Sequence, residues 1–323
     1  MIITVTPNPS LDRTIELSGA LSRGEVQRSL GSSDEPGGKG VNVSRALVAS
    51  GADTVAILPG ALDDPVLVAL RARGVATANL PIAGRLRANV TLTEPSGTTT
   101  KINEPGPDLS GHAQGLVDLV VEHAPSAQWL VLAGSLPPGL PDDFLAGVVQ
   151  AVRVTCGDAA PKIAVDSSGA PFRALLESGL TIDLVKPNAE ELAEVVGGDP
   201  ARYESDPAAA VAGARLLLDR GVTAVLLTLG SAGAALVTRE GAWFARAPKI
   251  VALSTVGAGD SSLSGYLLAE TSGATPARRL AQAVASGAAA ASLPGSVVPS
   301  LDQTDPDAVT VVAVAESPSV PSL

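Results

Sequence analysis

The sequence predicts an α/β fold: a mostly parallel sheet covered by helices on both faces, with a small β-sheet inserted into it. Three observations predict this. Short β-rich apolar runs alternate with longer Ala, Leu and Val segments of helical period along the 323 residues, the signature of βαβ units. Two of the runs, Trp129-Leu130-Val131-Leu132 and Val225-Leu226-Leu227, are continuously apolar, as strands buried on both faces require. Two other stretches, 11–33 and 86–103, alternate in character and hold turn residues but no helical period.

Strands are expected over 2–6, 54–58, 129–133, 162–166, 184–186 and 224–229. Helices are expected over 42–50, 65–73, 111–123, 142–154, 189–196, 208–220, 260–270 and 275–292. The run from Arg87 to Thr93, the turn Pro95-Ser96-Gly97 and the run from Thr98 to Asn103 read as a hairpin. A small sheet inserted in this way can serve as a lid over a site at the strand C-termini. A further hairpin, 234–237 with 242–246, is expected at the edge of the main sheet. The organisation is then an α/β domain over 1–300, interrupted by lid segments at about 11–33 and 86–103, and a C-terminal tail over 301–323. The tail is rich in Pro, Ser and Asp, holds one β-like run over 309–314, and ends in residues expected to fray.

Composition removes several function classes. The chain has 22 Lys and Arg against 33 Asp and Glu, a formal charge of −11. That balance argues against nucleic acid as a partner, because phosphate neutralisation needs cations. One cysteine, Cys156, excludes an internal disulfide and a Cys-rich zinc module, and the two histidines, His112 and His123, lack metal-binding spacing. The uncharged stretch 280–301 is mostly Ala with Gly, Pro and Ser, and reads as a buried helix ending near Ser292, not a membrane span. No targeting signal is read at the N-terminus, and a cytoplasmic protein without a membrane partner is the expectation.

Five motifs could carry chemistry. Gly257-Ala258-Gly259-Asp260 opens a helical segment; glycines there let free backbone N–H groups approach an anion, and Asp260 could accept a proton or merely cap the helix. Gly37-Gly38-Lys39-Gly40-Val41-Asn42 joins a lid-like segment to a helix and combines close backbone approach with a charge and an amide, or is a plain glycine turn. Lys186-Pro187-Asn188-Ala189-Glu190-Glu191 places Asn188 and Glu191 on one helix face, as ligands of a hydrated Mg²⁺ or as a capping box. The loop Thr228-Leu229-Gly230-Ser231-Ala232-Gly233 follows a strand and could border a nucleotide. Asn8-Pro9-Ser10-Leu11-Asp12 follows the first strand, where Asp12 could accept hydrogen bonds from sugar hydroxyls. Four of the five stand where a strand-like run ends, as sites do in open α/β sheets.

These motifs, with Gly134-Ser135-Leu136-Pro137 between them and in this order, resemble those of the PfkB-type, ribokinase-like sugar kinases over roughly residues 1–300. Within that family the chain is most similar to the branch of bacterial 1-phosphofructokinases and tagatose-6-phosphate kinases. The resemblance implies a three-layer ribokinase-like domain with a β-sheet lid, and a homodimer formed through the lid. It implies ATP and Mg²⁺ as cofactors and a sugar phosphate as substrate, fructose 1-phosphate converted to fructose 1,6-bisphosphate. Tagatose 6-phosphate or fructose 6-phosphate is the alternative substrate, and a non-catalytic sugar-phosphate sensor the more distant one. Carried over, Asp260 is the base, with Gly257, Ala258 and Gly259 as the anion hole. Lys186, Asn188 and Glu191 organise Mg²⁺ and phosphates, Glu191 acting on the metal through water, and Thr228, Gly230, Ser231 and Gly233 border the nucleotide. Asp12, Gly38, Lys39, Asn42, Arg87, Asn89 and Asn103 hold the sugar phosphate. Lys101 departs from the branch's pattern.

Overall fold

The computed structural model describes residues 1–314. In chain order, β1 (Ile2–Val5) leads into β2 (Ser10–Leu17) and β3 (Ser29–Gly37), then α1 (Lys39–Ala49), β4 (Thr54–Pro59), α2 (Pro65–Ala72) and β5 (Ala76–Leu80). A hairpin follows, β6 (Arg87–Thr93) and β7 (Thr99–Asn103), and then α3 (Ala113–His123), β8 (Trp129–Ala133), α4 (Phe144–Cys156), β9 (Lys162–Asp166) and α5 (Gly169–Glu177). The second half holds β10 (Leu184–Val185), α6 (Ala189–Val196), α7 (Pro200–Ser205), α8 (Pro207–Leu218), β11 (Ala224–Thr228), β12 (Ala234–Thr238) and β13 (Gly241–Arg246). It closes with α9 (Ala258–Thr271), α10 (Pro276–Ala291) and β14 (Thr310–Ala313).

Local chemistry sets the helix starts. Asp64 accepts the N–H of Val66 at 2.9 Å with Pro65 at the first helical position of α2, and Asp206 with Pro207 does the same for α8. Both use the preference for an oxygen cap followed by proline.

The main sheet runs β14-β13-β12-β11-β10-β9-β8-β1-β4-β5. It is parallel from β11 to β5 and antiparallel from β11 to β14. Alternate residues of each strand face opposite layers. Ile3, Val5, Leu130, Leu132, Ile163 and Val165 pack with Val120, Val148, Phe172, Leu192 and Leu217 from α3 to α8. Ile2, Trp129, Val131, Ala164, Leu184 and Leu226 pack with Leu47, Leu263, Leu267 and Ala283 from α1, α9 and α10. This is the three-layer α/β arrangement expected. The strand order reverses at β1, which lies between β4 and β8, and a crevice at the strand carboxyl ends follows from that reversal.

The second sheet, β3-β2-β6-β7, is the small separate sheet expected as a lid. β2 pairs antiparallel with β3 and parallel with β6, and β6 pairs antiparallel with β7.

Several details differ from the sequence reading. The first lid segment runs on to Gly37, because β3 pairs with β2 up to Ser10, and α1 begins at Lys39 rather than Asn42. The hairpin β12–β13 is not at the sheet edge: β14 pairs with β13 outside it, so the β-like run in the tail belongs to the main sheet. The residues expected to fray lie outside the described residues. Strand β5 and helices α5 and α7 were not expected. Among the described residues no helix is long and apolar enough to cross a membrane; the uncharged stretch is largely α10, buried and capped at Ser292.

Candidate active site

The two glycine motifs work by close approach. Gly38 has φ +111°, and a Cβ there would lie 2.9 Å from Thr6 Cγ2 and 3.2 Å from Pro9 Cα. At Gly40 a Cβ would lie 2.4 Å from Thr6 Oγ1. Only glycine lets α1 start this close to the end of β1, and that placement delivers Lys39 and Asn42 to the crevice. Gly257 caps α9 in the left-handed region, so that Asp260 sits in the first turn, 7% exposed. The first turn leaves backbone N–H groups without intrahelical partners. That of Ala258 makes a long contact of 3.4 Å to the Thr255 carbonyl.

Asp260 Oδ2 accepts a 2.8 Å hydrogen bond from Asn42 Nδ2. Burial raises its pKa to about 6, helped by the negative charge of Asp166 and opposed by Lys186, Asn42 and Lys39. Lys186 leaves the end of β10 and reaches the same place: a Cβ on Gly259 would lie 3.2 Å from its Nζ. An ammonium and helix N–H groups thus converge beside Asp260, a seat for an anion.

Asp166, at the end of β9, is fully buried. Lys39 Nζ donates to its Oδ1 at 2.7 Å, and Lys186 Nζ is 2.9 Å from its Oδ2. Burial acts to raise the Asp166 pKa, but Lys186 and Lys39 outweigh it and hold the carboxyl below its ordinary value. Burial likewise pulls Lys39 down, and Asp166, Glu191 and Asp260 overcome it and raise its pKa.

Asn188 and Glu191 form the capping box of α6. Asn188 Oδ1 accepts the Glu191 N–H at 2.8 Å, and Glu191 Oε2 accepts the Asn188 N–H at 2.9 Å. The other carboxylate oxygen of Glu191 takes Lys39 Nζ at 3.3 Å. Helix capping therefore engages both side chains while one oxygen of Glu191 still faces the charged centre.

The loop after β11 lies next to this box. Thr228 bridges Asn188 in parallel, and Gly230 and Ser231 are exposed. Gly233 has φ +119° and a Cβ there would lie 1.9 Å from the Ala245 carbonyl oxygen, so its glycine serves the turn into β12.

In the lid, Asp12, Asn89 and Asn103 stand in one cross-strand row. Asp12 Oδ1 accepts from Ser10 Oγ at 2.7 Å and from Asn89 Nδ2 at 3.0 Å. Arg87 is opposite Ser10, two positions along the same face. Its Nη1 donates to the Glu104 carbonyl at 3.2 Å, while its Nε is buried without a partner among the described residues. Burial lowers the Arg87 pKa against the pull of Asp12 and Glu104. Lys101 is exposed, opposite Thr91 in the next row.

The sequence reading assigns no role to Asp166, Arg45 or Glu35. Asp166 carried a usable signal, an acidic residue ending an apolar strand at the site edge of the sheet.

Three comparisons place the chain among known proteins. The family model described as pfkB family carbohydrate kinase matches residues 5–303. The 1-phosphofructokinase of Xanthomonas campestris pv. campestris is 36% identical over 286 residues, which is 87% of either chain. Phosphofructokinase-2 from Escherichia coli, solved in complex with potassium, superposes with TM-score 0.84 at 30% identity, covering 94% of this chain and 96% of that one. The tetrameric inhibited form of that Escherichia coli enzyme superposes with TM-score 0.83 at 31% identity over the same shares.

Proposed function

The chain belongs to the pfkB family of carbohydrate kinases, and from that membership we propose that it transfers the γ-phosphoryl group of ATP to the C6 hydroxyl of fructose 1-phosphate, giving fructose 1,6-bisphosphate and ADP. The observation that carries the reading is the placement of Asp260, a buried carboxylate raised to about 6, beside the seat made by the first turn of α9 and Lys186.

Asp260 takes the proton of the attacking hydroxyl; its position near the operating pH suits a general base. The first turn of α9, with Gly257, Ala258 and Gly259, and the Lys186 ammonium stabilise the charge on the transferring phosphoryl group. Preorganised donors of this kind are worth about 10²–10³ in rate, and phosphoryl transfer depends chiefly on such positioning. Asp166 holds Lys186 and Lys39 in place. The Asp12–Asn89–Asn103 row with Lys39, Gly38 and Asn42 holds the sugar, and the unpaired Nε of Arg87 faces the phosphate already on it.

The loop Thr228 to Gly233 borders the nucleotide. An apolar hollow of about 320 Å³, lined by Pro248, Ile250, Ala285, Ala288, Ala289 and Leu293, adjoins the segment that leads into Gly257 and takes the purine. Among the described residues no cluster of three acidic, His or Cys side chains could cage a metal, which fits an ion held mainly by phosphates and water. Glu191 would hold Mg²⁺ through water, and Asn188 would fix Glu191; bound there, the ion neutralises phosphate charge.

The face of the lid away from the site carries Ile15, Val90, Leu92 and Ile102 in neighbouring register positions, with Ile102 57% exposed. We place a homodimer interface there, and the reaction in the cytoplasm, where both substrates are found. The test is ³¹P NMR of the protein with ATP, Mg²⁺ and fructose 1-phosphate. A bisphosphate with a new C6 phosphomonoester signal is expected; ADP formation without it, or no turnover, overturns the proposal.

A further inference from the structure

Building on the kinase reading, we propose that Arg45 is a positioning residue for the base: its guanidinium holds the Asn42 amide in the one orientation that donates to Asp260. Arg45 is 6% exposed, on the buried face of α1. Its Nη1 donates to Asn42 Oδ1 at 3.1 Å and to the Pro36 carbonyl at 3.0 Å. Its Nη2 donates to Glu35 Oε2 at 2.8 Å. Asn42 Nδ2 then donates to Asp260 Oδ2 at 2.8 Å.

A guanidinium only donates, so the oxygen of the Asn42 amide must face it, and the nitrogen must then face Asp260. A flipped amide would set its NH₂ against Arg45 and its oxygen against the Asp260 carboxylate, two repulsive contacts in place of two hydrogen bonds. Arg45 itself is fixed from the lid. Glu35 and Pro36 lie on β3, and Glu35 also accepts from Arg73 Nη2 at 2.7 Å, which pins that strand to the end of α2. The orientation of the base is thereby tied to the seating of a lid strand. Lysine cannot reproduce this, because a single ammonium lacks the planar fork that reaches Asn42, Pro36 and Glu35 together.

The charged groups around this chain of contacts are few. Arg45 is flanked by Glu35, Arg73, Asp12 and Asp260. Asp260 faces Asp166 on β9, Lys186 after β10, and Lys39 and Asn42 on α1. The Arg45 charge itself lies near Asp260, so removing it raises the proton affinity of Asp260 whatever the amide does, whereas Arg45→Lys keeps the charge and removes only the planar fork.

The experiment measures kcat and KM for ATP and fructose 1-phosphate from pH 5 to 9 for the wild type, Arg45→Lys and Arg45→Met, with thermal melting of each. Once the Asn42 amide is free to turn, Asp260 loses a hydrogen bond to its charged form and binds its proton more tightly. The acid limb of kcat is expected to move up by about one pH unit, so that kcat at pH 6 falls about fivefold more than at pH 9, with KM for ATP unchanged. Arg45→Lys keeps a charge at the site, so its acid limb decides: a shift there reports the freed amide, and a shift in Arg45→Met alone reports only the lost charge and overturns the inference. An acid limb that coincides with the wild type's, with kcat lowered by one factor at every pH or not at all, overturns the inference and leaves the kinase reading intact. A wild type inactive on every sugar phosphate overturns both.

Discussion

Lys39 and Asp166 stand 127 residues apart in the sequence and 2.7 Å apart in the structure. The pair joins the first turn of α1 to the end of β9, and Lys186 completes it from β10 at 2.9 Å. Two cations share one fully buried carboxylate, so Asp166→Asn takes from the Lys186 ammonium, 5% exposed, its ion-pair partner. Removing one partner of a buried pair costs about 3–5 kcal/mol, and a marked fall in Tm is expected. The variant also removes the negative charge that helps raise Asp260. The acid limb of its kcat profile should therefore move to lower pH, opposite to the Arg45 variants. An unchanged Tm and an unmoved limb would contradict this account of Asp166.

Asp260→Asn should lower kcat by about 10²–10⁴ while keeping KM for both substrates. In the wild type the rate should fall below about pH 6 as the base takes up a proton. Stability follows with a definite sign. The folded pKa of about 6 lies above the ordinary 3.8, so the unfolded chain ionises first and the fold loses stability as pH rises between these values. At about 1.4 kcal/mol per pH unit the loss reaches up to about 3 kcal/mol. The neutral variant avoids it, and should melt higher than the wild type at pH 8 and equally at pH 3.5. A lower Tm at pH 8 would contradict the assignment of a strained, buried base.

Arg87→Ala should raise KM for fructose 1-phosphate about ten- to a hundredfold, since hydrogen bonds to charged groups are worth about 1.5–3 kcal/mol. Its kcat and its KM for ATP should stay within about twofold. Equal losses toward fructose and fructose 1-phosphate would show that Arg87 does not read the phosphate.

Ala289→Phe fills the hollow between α10 and the segment at Pro248. If the purine lies there, KM for ATP should rise about tenfold or more with little change in KM for the sugar, because overpacking costs about 1–3 kcal/mol. Steady-state kinetics with each substrate varied in turn check it.

Much of this was legible from residue pattern. The boundaries of β8, β9 and α6 agree with the reading because continuous apolar runs and an Asn-x-x-Glu start mark them without tertiary help. Strand β5, Ala-Thr-Ala-Asn-Leu, is a half-exposed edge strand and carries too little apolar signal to be seen. Helix α5 opens with Gly-Ala-Pro, which mimics a loop. The edge position of β12–β13 was misjudged because β14 joins from more than sixty residues downstream, a pairing that no local pattern encodes. In the site, the glycine motifs announced themselves, since close backbone approach demands glycine. Arg45 and Glu35 did not, because their contacts join different elements, and Asp166 was marked only by its place at the end of an apolar strand.

In the proposed reaction Asp260 and its anion seat direct phosphoryl transfer to a sugar that already carries a phosphate. The most direct test is ADP release with ATP and Mg²⁺ against fructose 1-phosphate, fructose 6-phosphate, tagatose 6-phosphate, fructose and ribose, comparing kcat/KM. The highest value is expected for fructose 1-phosphate, with a collapse of that value in Asp260→Asn. A preference for an unphosphorylated sugar, or turnover that survives in Asp260→Asn, would contradict it.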